Sequence, residues 1–144
     1  MRSLRTVFLL LLALLSGCAD SKSPNLIAPS AGKAVIYIYR VDSIIGADIL
    51  APNVRVNDAS IGPLTRRGYF RVEVNPGPTQ VILYSSDQGN DTYWPVAQNS
   101  IVNLKLAPNS THYVELLIDS MTYSFRETSH EKALGALVDA YLLN

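Results

Sequence analysis

Cys18 is the one thiol in the 144 residues, and it directly follows Leu15-Ser16-Gly17 at the close of an apolar run, Val7 to Leu15, that begins after Arg2 and Arg5. A positive start, a short apolar stretch and small residues ahead of the cysteine are the layout of a secretory signal. Other residue types that do chemistry lack the spacing for it. His112 and His130 are the only histidines, and no H-x-x-x-H or C-x-x-C arrangement accompanies them, so both read as structural rather than as zinc ligands. The serines lie mainly in residues 19–32 and in loops, without a G-x-S-x-G nucleophile turn. Asp87 and Asp91 flank Gly89, but the D-x-[DN]-x-[DN]-G order and a distal glutamate are missing, so this segment reads as a solvated loop and not a calcium site. Neither a cofactor nor a catalytic group is expected.

The Leu15-Ser16-Gly17-Cys18 run resembles the lipobox of bacterial lipoproteins. That resemblance implies recognition of Leu15, Ser16 and Gly17 by the signal peptidase, diacylation of the Cys18 thiol, cleavage before it and acylation of the new N-terminus. A transmembrane helix is the competing reading, but Val7 to Leu15 falls far short of the ~20 apolar residues a bilayer span needs. Several acyl chains on one N-terminus exceed the two-signal threshold for stable anchoring. Ala19, not an aspartate, follows Cys18. Under the bacterial sorting rule this resembles, the protein goes to the outer membrane and faces the periplasm, with the periplasmic face of the inner membrane as the alternative.

Over the whole chain 12 basic residues balance 12 acidic ones. Loss of Arg2 and Arg5 with the signal leaves ten basic residues and a net charge of about −2. This offers no basic footprint for nucleic acid and no polybasic patch for anionic lipid. The organisation that follows is a signal peptide over 1–17, a lipidated N-terminus and flexible Ser-, Pro- and Ala-rich tether over 18–32, and one domain over 33–144.

The elements that must position any site are mostly strands. Lys33 to Arg40 is rich in β-branched and aromatic residues on both alternate faces, as in a central strand covered on two sides. Val41 to Pro52 reads as a loop packing back on the domain, and Val54 to Leu64 as a hairpin turning at Asn57-Asp58. Gly68 to Val74 alternates, Phe70, Val72 and Val74 on a buried face and Tyr69, Arg71 and Glu73 on a wet one. Asn75-Pro76-Gly77-Pro78 then turns the chain into Gln80–Tyr84 as its paired strand, Ser85 to Thr92 forms an exposed loop, and Val102–Leu106, a turn at Pro108-Asn109, Tyr113–Ile118 and Met121–Arg126 complete a meander. Leu134, Leu137, Val138, Tyr141 and Leu142 keep helical spacing behind a Thr128/Glu131 capping box, which predicts an amphipathic helix of about four turns laid on the open face of the sheet. The fold expected is all-β, a sandwich-like or open-barrel domain of about 7–8 short strands with one C-terminal amphipathic helix.

The order of Val35-Ile-Tyr-Ile-Tyr-Arg40, Asn53-Val-Arg-Val-Asn57 with Ile61-Gly62 and Leu64, Gly68-Tyr-Phe70, Pro76-Gly77 and His112-Tyr113-Val114 resembles domain of unknown function 2846 (DUF2846), found often on bacterial lipoproteins. Val54 to Val81 is also similar to the small β-domains called PEGA. Both resemblances imply a sandwich-like module with no known catalytic residues; Asp58 stands where a glycine often closes the hairpin, and residues 85–100 have no clear counterpart. Recognition would then fall to the surface. Tyr93 and Trp94 in a polar loop have the chemistry to stack on sugars or fill a partner's pocket. Tyr37, Tyr39 and Tyr113 read as core residues with hydroxyls at the rim. Arg66 and Arg67, near Arg71 and Arg55, would suit a phosphate or a cell-wall carboxylate, or serve only to block edge pairing. The reading is a non-catalytic, lipid-anchored envelope module that binds another envelope protein or assists assembly. A peptidoglycan- or glycan-binding module is the alternative, and a hydrolase a distant third.

Overall fold

The computed structural model describes Pro24 and residues 26–41, 51–84, 101–119 and 122–144. Nine strands in two sheets and one helix make up these residues. The strands are β1 (Ala34–Arg40), β2 (Asn53–Val56), β3 (Ala59–Pro63), β4 (Gly68–Val74), β5 (Gly77–Tyr84), β6 (Ile101–Leu106), β7 (Thr111–Asp119), β8 (Thr122–Thr128) and β9 (Tyr141–Leu142), with α1 (His130–Leu137) between β8 and β9. One sheet runs β8-β7-β1-β4-β9 and the other β3-β2-β5-β6. Two sheets face each other, so the architecture is a sandwich and not an open barrel.

β1 is central, antiparallel to β4 and parallel to β7, and all seven of its residues are buried. Its alternation serves two cores. Ala34, Ile36 and Ile38 point between the sheets, where they meet Phe70, Val114, Leu116 and Phe125 of their own sheet and Val54, Val81, Leu83 and Leu104 of the other. Val35, Tyr37 and Tyr39 point to the outer face, where Tyr113, Ala133 and Leu137 close over them. A strand with both faces covered has no use for polar alternation, which accounts for the continuous apolar run.

The β2–β3 hairpin forms as expected, with Asn57 in the left-handed region (φ 51) and a bulge between Val54 and Arg55. Two expected pairings do not. β4 and β5 lie in different sheets, and so do β6 and β7. The Asn75-Pro76 turn is therefore an arch that crosses the sandwich, and Gly77, at φ 131, takes a backbone angle closed to other residues. The reason is burial. Val72 and Val74 before the turn and Val81 and Leu83 after it face one core from opposite sides, which a flat hairpin would not allow. At the β6–β7 crossing, Asn109 (φ 61) donates its N–H to the Lys33 carbonyl (2.6 Å) and accepts from the Gly32 N–H (2.8 Å), locking the turn to the start of β1.

The C-terminus also departs from expectation. α1 has eight residues rather than four turns, and its cap is Ser129, whose hydroxyl accepts from Lys132 N–H, not Thr128. Leu137 of the expected stripe is buried, but its buried partner is Ala133 and not Leu134, and Val138 is exposed. Tyr141 and Leu142 leave the helix for β9, because the edge of β4 offers their stretch a ladder: Tyr141 N–H donates to the Arg67 carbonyl (2.9 Å) and Leu143 N–H to Tyr69 (2.8 Å). Gly68 permits this approach, since a Cβ there would stand 2.6 Å from Leu143 Cδ1.

Residues 26–32, expected as tether, lie against the domain. Leu26 packs on the outer cluster with Tyr37 and Tyr69. The Ile27 carbonyl accepts from the Tyr37 hydroxyl (3.1 Å), and the Ala28 carbonyl from Arg71 (3.0 Å). The wet face foreseen for Tyr69, Arg71 and Glu73 is thus partly covered. The proposed loop over 42–50 lies outside the described residues.

Candidate functional site

The outer face of the five-stranded sheet carries a group of buried and half-buried polar side chains. Register explains why. Tyr37 pairs with Tyr113 and Tyr39 with Glu115 across β1 and β7, so all four point to the same side. Tyr37 and Tyr113 stack with ring centroids 5.7 Å apart, and Tyr69 joins Tyr37 at 6.1 Å. The hydroxyls reach the rim, as expected of core tyrosines: Tyr39 bonds Thr128 Oγ1 (2.9 Å) and Tyr113 bonds His130 Nδ1 (2.7 Å). Burial pushes the Tyr39 and Tyr113 phenols above their ordinary value of 10. Both stay neutral at physiological pH, which suits a hydrogen-bonding core residue and not a nucleophile.

Beside the tyrosines lies a charge cluster absent from the sequence reading. Glu115 is 3% exposed. Its Oε2 accepts from Arg126 Nε (2.9 Å) and Nη2 (2.7 Å) on β8 and from Lys132 Nζ (2.8 Å) on α1. Of these two half-exposed cations on one buried carboxylate, Lys132 pins the helix to the sheet and Arg126 ties β8 to β7. The signal was a lone acid inside the apolar run Tyr113-Val-Glu-Leu-Leu, a position that needs compensation when buried. His112 is engaged by Glu127 at 2.7 Å. No group of three or more metal-ligating side chains occurs among the described residues.

The arginines do not form one patch. Arg55 lies on the outer face of the four-stranded sheet, its guanidinium 4.8 Å from the Tyr84 ring centroid. Arg71 lies on the opposite outer face with Ile27 and Glu73. Arg66 and Arg67 occupy the turn between β3 and β4, exposed, with Arg67 at φ 55. That turn joins strands of different sheets rather than a hairpin. A recess of about 150 Å³ beside it is lined by Arg40, Val41, Arg67, Ala136 and Asp139. At the other end of the sandwich, Lys33, Asn57, Asp58, Glu73, Asn75 and Thr79 border an open groove of about 500 Å³.

Leu15, Ser16, Gly17, Cys18, Asp87, Asp91, Tyr93 and Trp94 lie outside the described residues. The ends of the 85–100 segment are nonetheless placed. Tyr84 pairs with Asn53, Asn53 with Pro63, and Ile82 with Ile101. The segment therefore leaves and rejoins the sandwich at the end where the β3–β4 turn carries Arg66 and Arg67.

Glu73 provides a pH test of the strap formed by Leu26–Ser30. Hydrogen bonds from Ser30, then the Arg71 guanidinium, hold its carboxyl below the ordinary 4.5. A depressed carboxyl contributes stability that is present above the ordinary value and lost as pH falls through the folded one. Acidification below the ordinary carboxylate range should release the Ser30 amide to exchange while Gly32, bonded to neutral Asn109, stays protected. Amide exchange by NMR checks this, and Glu73→Gln should reproduce the Ser30 loss at neutral pH. Simultaneous release of both amides would show that Glu73 does not hold the strap.

The family model described as "Protein of unknown function (DUF2846)" matches residues 30–129. No curated protein matches the chain.

Proposed function

From the premise that this chain belongs to the DUF2846 family, whose function is unknown, we propose that it is a lipid-anchored domain of the bacterial envelope, non-catalytic, which binds another envelope protein or assists its assembly. The observation that carries this reading is Leu15-Ser16-Gly17-Cys18 behind a short apolar run. The domain behind it is consistent with a binding role: its central buried carboxylate, Glu115, and Tyr113 are engaged in holding α1 on the sheet. Ala19 after Cys18 favours the outer membrane, facing the periplasm. The hairpin, the Ile61-Gly62 step and the Pro76-Gly77 turn support a PEGA-like origin for Val54–Val81. Crosslinking in the native envelope, read by mass spectrometry, tests the reading; recovery of soluble periplasmic protein with no envelope partner would refute it.

A second reading, glycan or peptidoglycan binding through Tyr93, Trp94, Arg66 and Arg67, has one observation in its favour. Tyr84 and Ile101, the described residues that flank 85–100, lie at the end of the sandwich that carries the β3–β4 turn. Hot-spot aromatics are worth about 2 kcal/mol or more each. Replacing Tyr93 and Trp94 with alanine should therefore weaken capture by partner or sacculus by a factor of about 30 or more, with the circular dichroism spectrum unchanged. Capture that survives in the folded double variant would place the site elsewhere.

A further inference from the structure

Five large apolar side chains are exposed among the described residues, and three of them lie over the outer face of the five-stranded sheet: Ile27 (60%), Val138 (39%) and Leu142 (53%). Of the other two, Ile101 opens β6 on the other sheet and Tyr141 (51%) precedes Leu142 on β9 and so points to the opposite face. Register places the group. Leu142 pairs with Tyr69, so both point to the outer face of the five-stranded sheet. Ile27 lies over the same face, its carbonyl taking the Tyr37 hydroxyl and the Arg71 guanidinium. Val138 caps α1, which packs there too.

We propose that this face rests on the lipid bilayer that holds the protein's own N-terminus. The proposal depends on the lipid-anchor reading above. The course of the chain supports it: from Lys33 back to Leu26 the strap crosses the outer face toward the patch, and Leu26 is packed into its floor with Tyr37 and Tyr69. Cys18 is eight residues before Leu26, a reach of at most about 29 Å at 3.6 Å per residue. An acylated Cys18 therefore keeps the face close to the bilayer and raises its effective concentration there. A contact too weak to hold a free domain suffices once tethered. Three branched aliphatic side chains match the boundary between acyl chains and headgroups. A second copy of the chain fits less well, since three side chains fall short of the roughly 1,200 Å² that a stable interface buries.

Cys18 is the only cysteine, and acylation consumes it, so single cysteines can be labelled one at a time in the full-length, lipidated protein. Ile27→Cys, Leu142→Cys and, on the opposite sheet, Lys105→Cys would each carry an environment-sensitive fluorophore in vesicles of phosphatidylethanolamine and phosphatidylglycerol containing spin-labelled lipid. Quenching should be several-fold stronger at positions 27 and 142 than at 105. Adding Val138→Asp and Leu142→Asp to the Ile27→Cys protein should reduce quenching at 27 to the level of 105 without releasing the protein from vesicles. Equal quenching at all three positions, with the protein still floating, would overturn the proposal and leave the anchor intact. So would shielding at 142 that no lipid quencher reaches and that fades on dilution in lipid, which would identify a second copy as the occupant. Failure to float, with Cys18 unmodified by mass, would instead remove the anchor reading itself.

Discussion

A chain ended at Thr128 should fail to hold the native sandwich. The cut removes Ala133 and Leu137 from the outer cluster, Leu143 from its contact with the inner core, and Lys132 from Glu115. It also opens Tyr37, Tyr39 and Tyr113, now at most 4% exposed, to water. Loss of a buried leucine typically costs 2–5 kcal/mol, and removing a cation from a buried carboxylate adds to that. The total, about 5 kcal/mol or more, is comparable with the whole stability of a small domain, roughly 5–15 kcal/mol. Urea titration followed by circular dichroism should show the transition moved to much lower denaturant or abolished. A truncated protein as stable as the full one would mean that α1 merely sits on a sheet able to stand alone, and would recast it as a docking element.

Cys18→Ser should move the protein almost entirely from the membrane to the soluble fraction. The serine hydroxyl does not replace the thiol as acyl acceptor, and each buried methylene of the lost chains contributes about 0.8 kcal/mol to anchoring. No helix among the described residues is long and apolar enough to cross a membrane. Residual adhesion through Ile27, Val138 and Leu142 should be weak and reversible without the tether. Wild-type protein that incorporates no labelled palmitate, together with a serine variant that still fractionates with membranes, would end the lipoprotein reading.

Legibility differed by element for identifiable reasons. β1 was readable because a strand buried on both faces is apolar throughout, and no other local state suits Ala34-Val-Ile-Tyr-Ile-Tyr. The β2–β3 turn was readable because Asn57 tolerates the left-handed angle it adopts. The tyrosine roles followed from alternation on β1. The helix was misjudged in length because Tyr141 and Leu142 fit its spacing, while the β4 edge, invisible locally, gave their stretch a better set of hydrogen bonds. The Glu115 cluster escaped because its members lie 11 and 17 residues apart along the chain and meet only through strand pairing and helix docking.

By itself the sequence determined the strand segments other than β9, the presence of a C-terminal helix, the family, and the signature that motivates a lipid anchor. These depend on side-chain type and short-range period. Tertiary structure alone decided which strands pair. A turn such as Asn75-Pro76 can close a hairpin or cross a sandwich, and the choice falls to the core, since Val74 and Val81 must reach one apolar interior from opposite sheets. It also decided that residues 26–32 leave the tether for the sheet, because a tyrosine hydroxyl, an arginine and a glutamate at its surface offer their backbone the partners that water would otherwise supply.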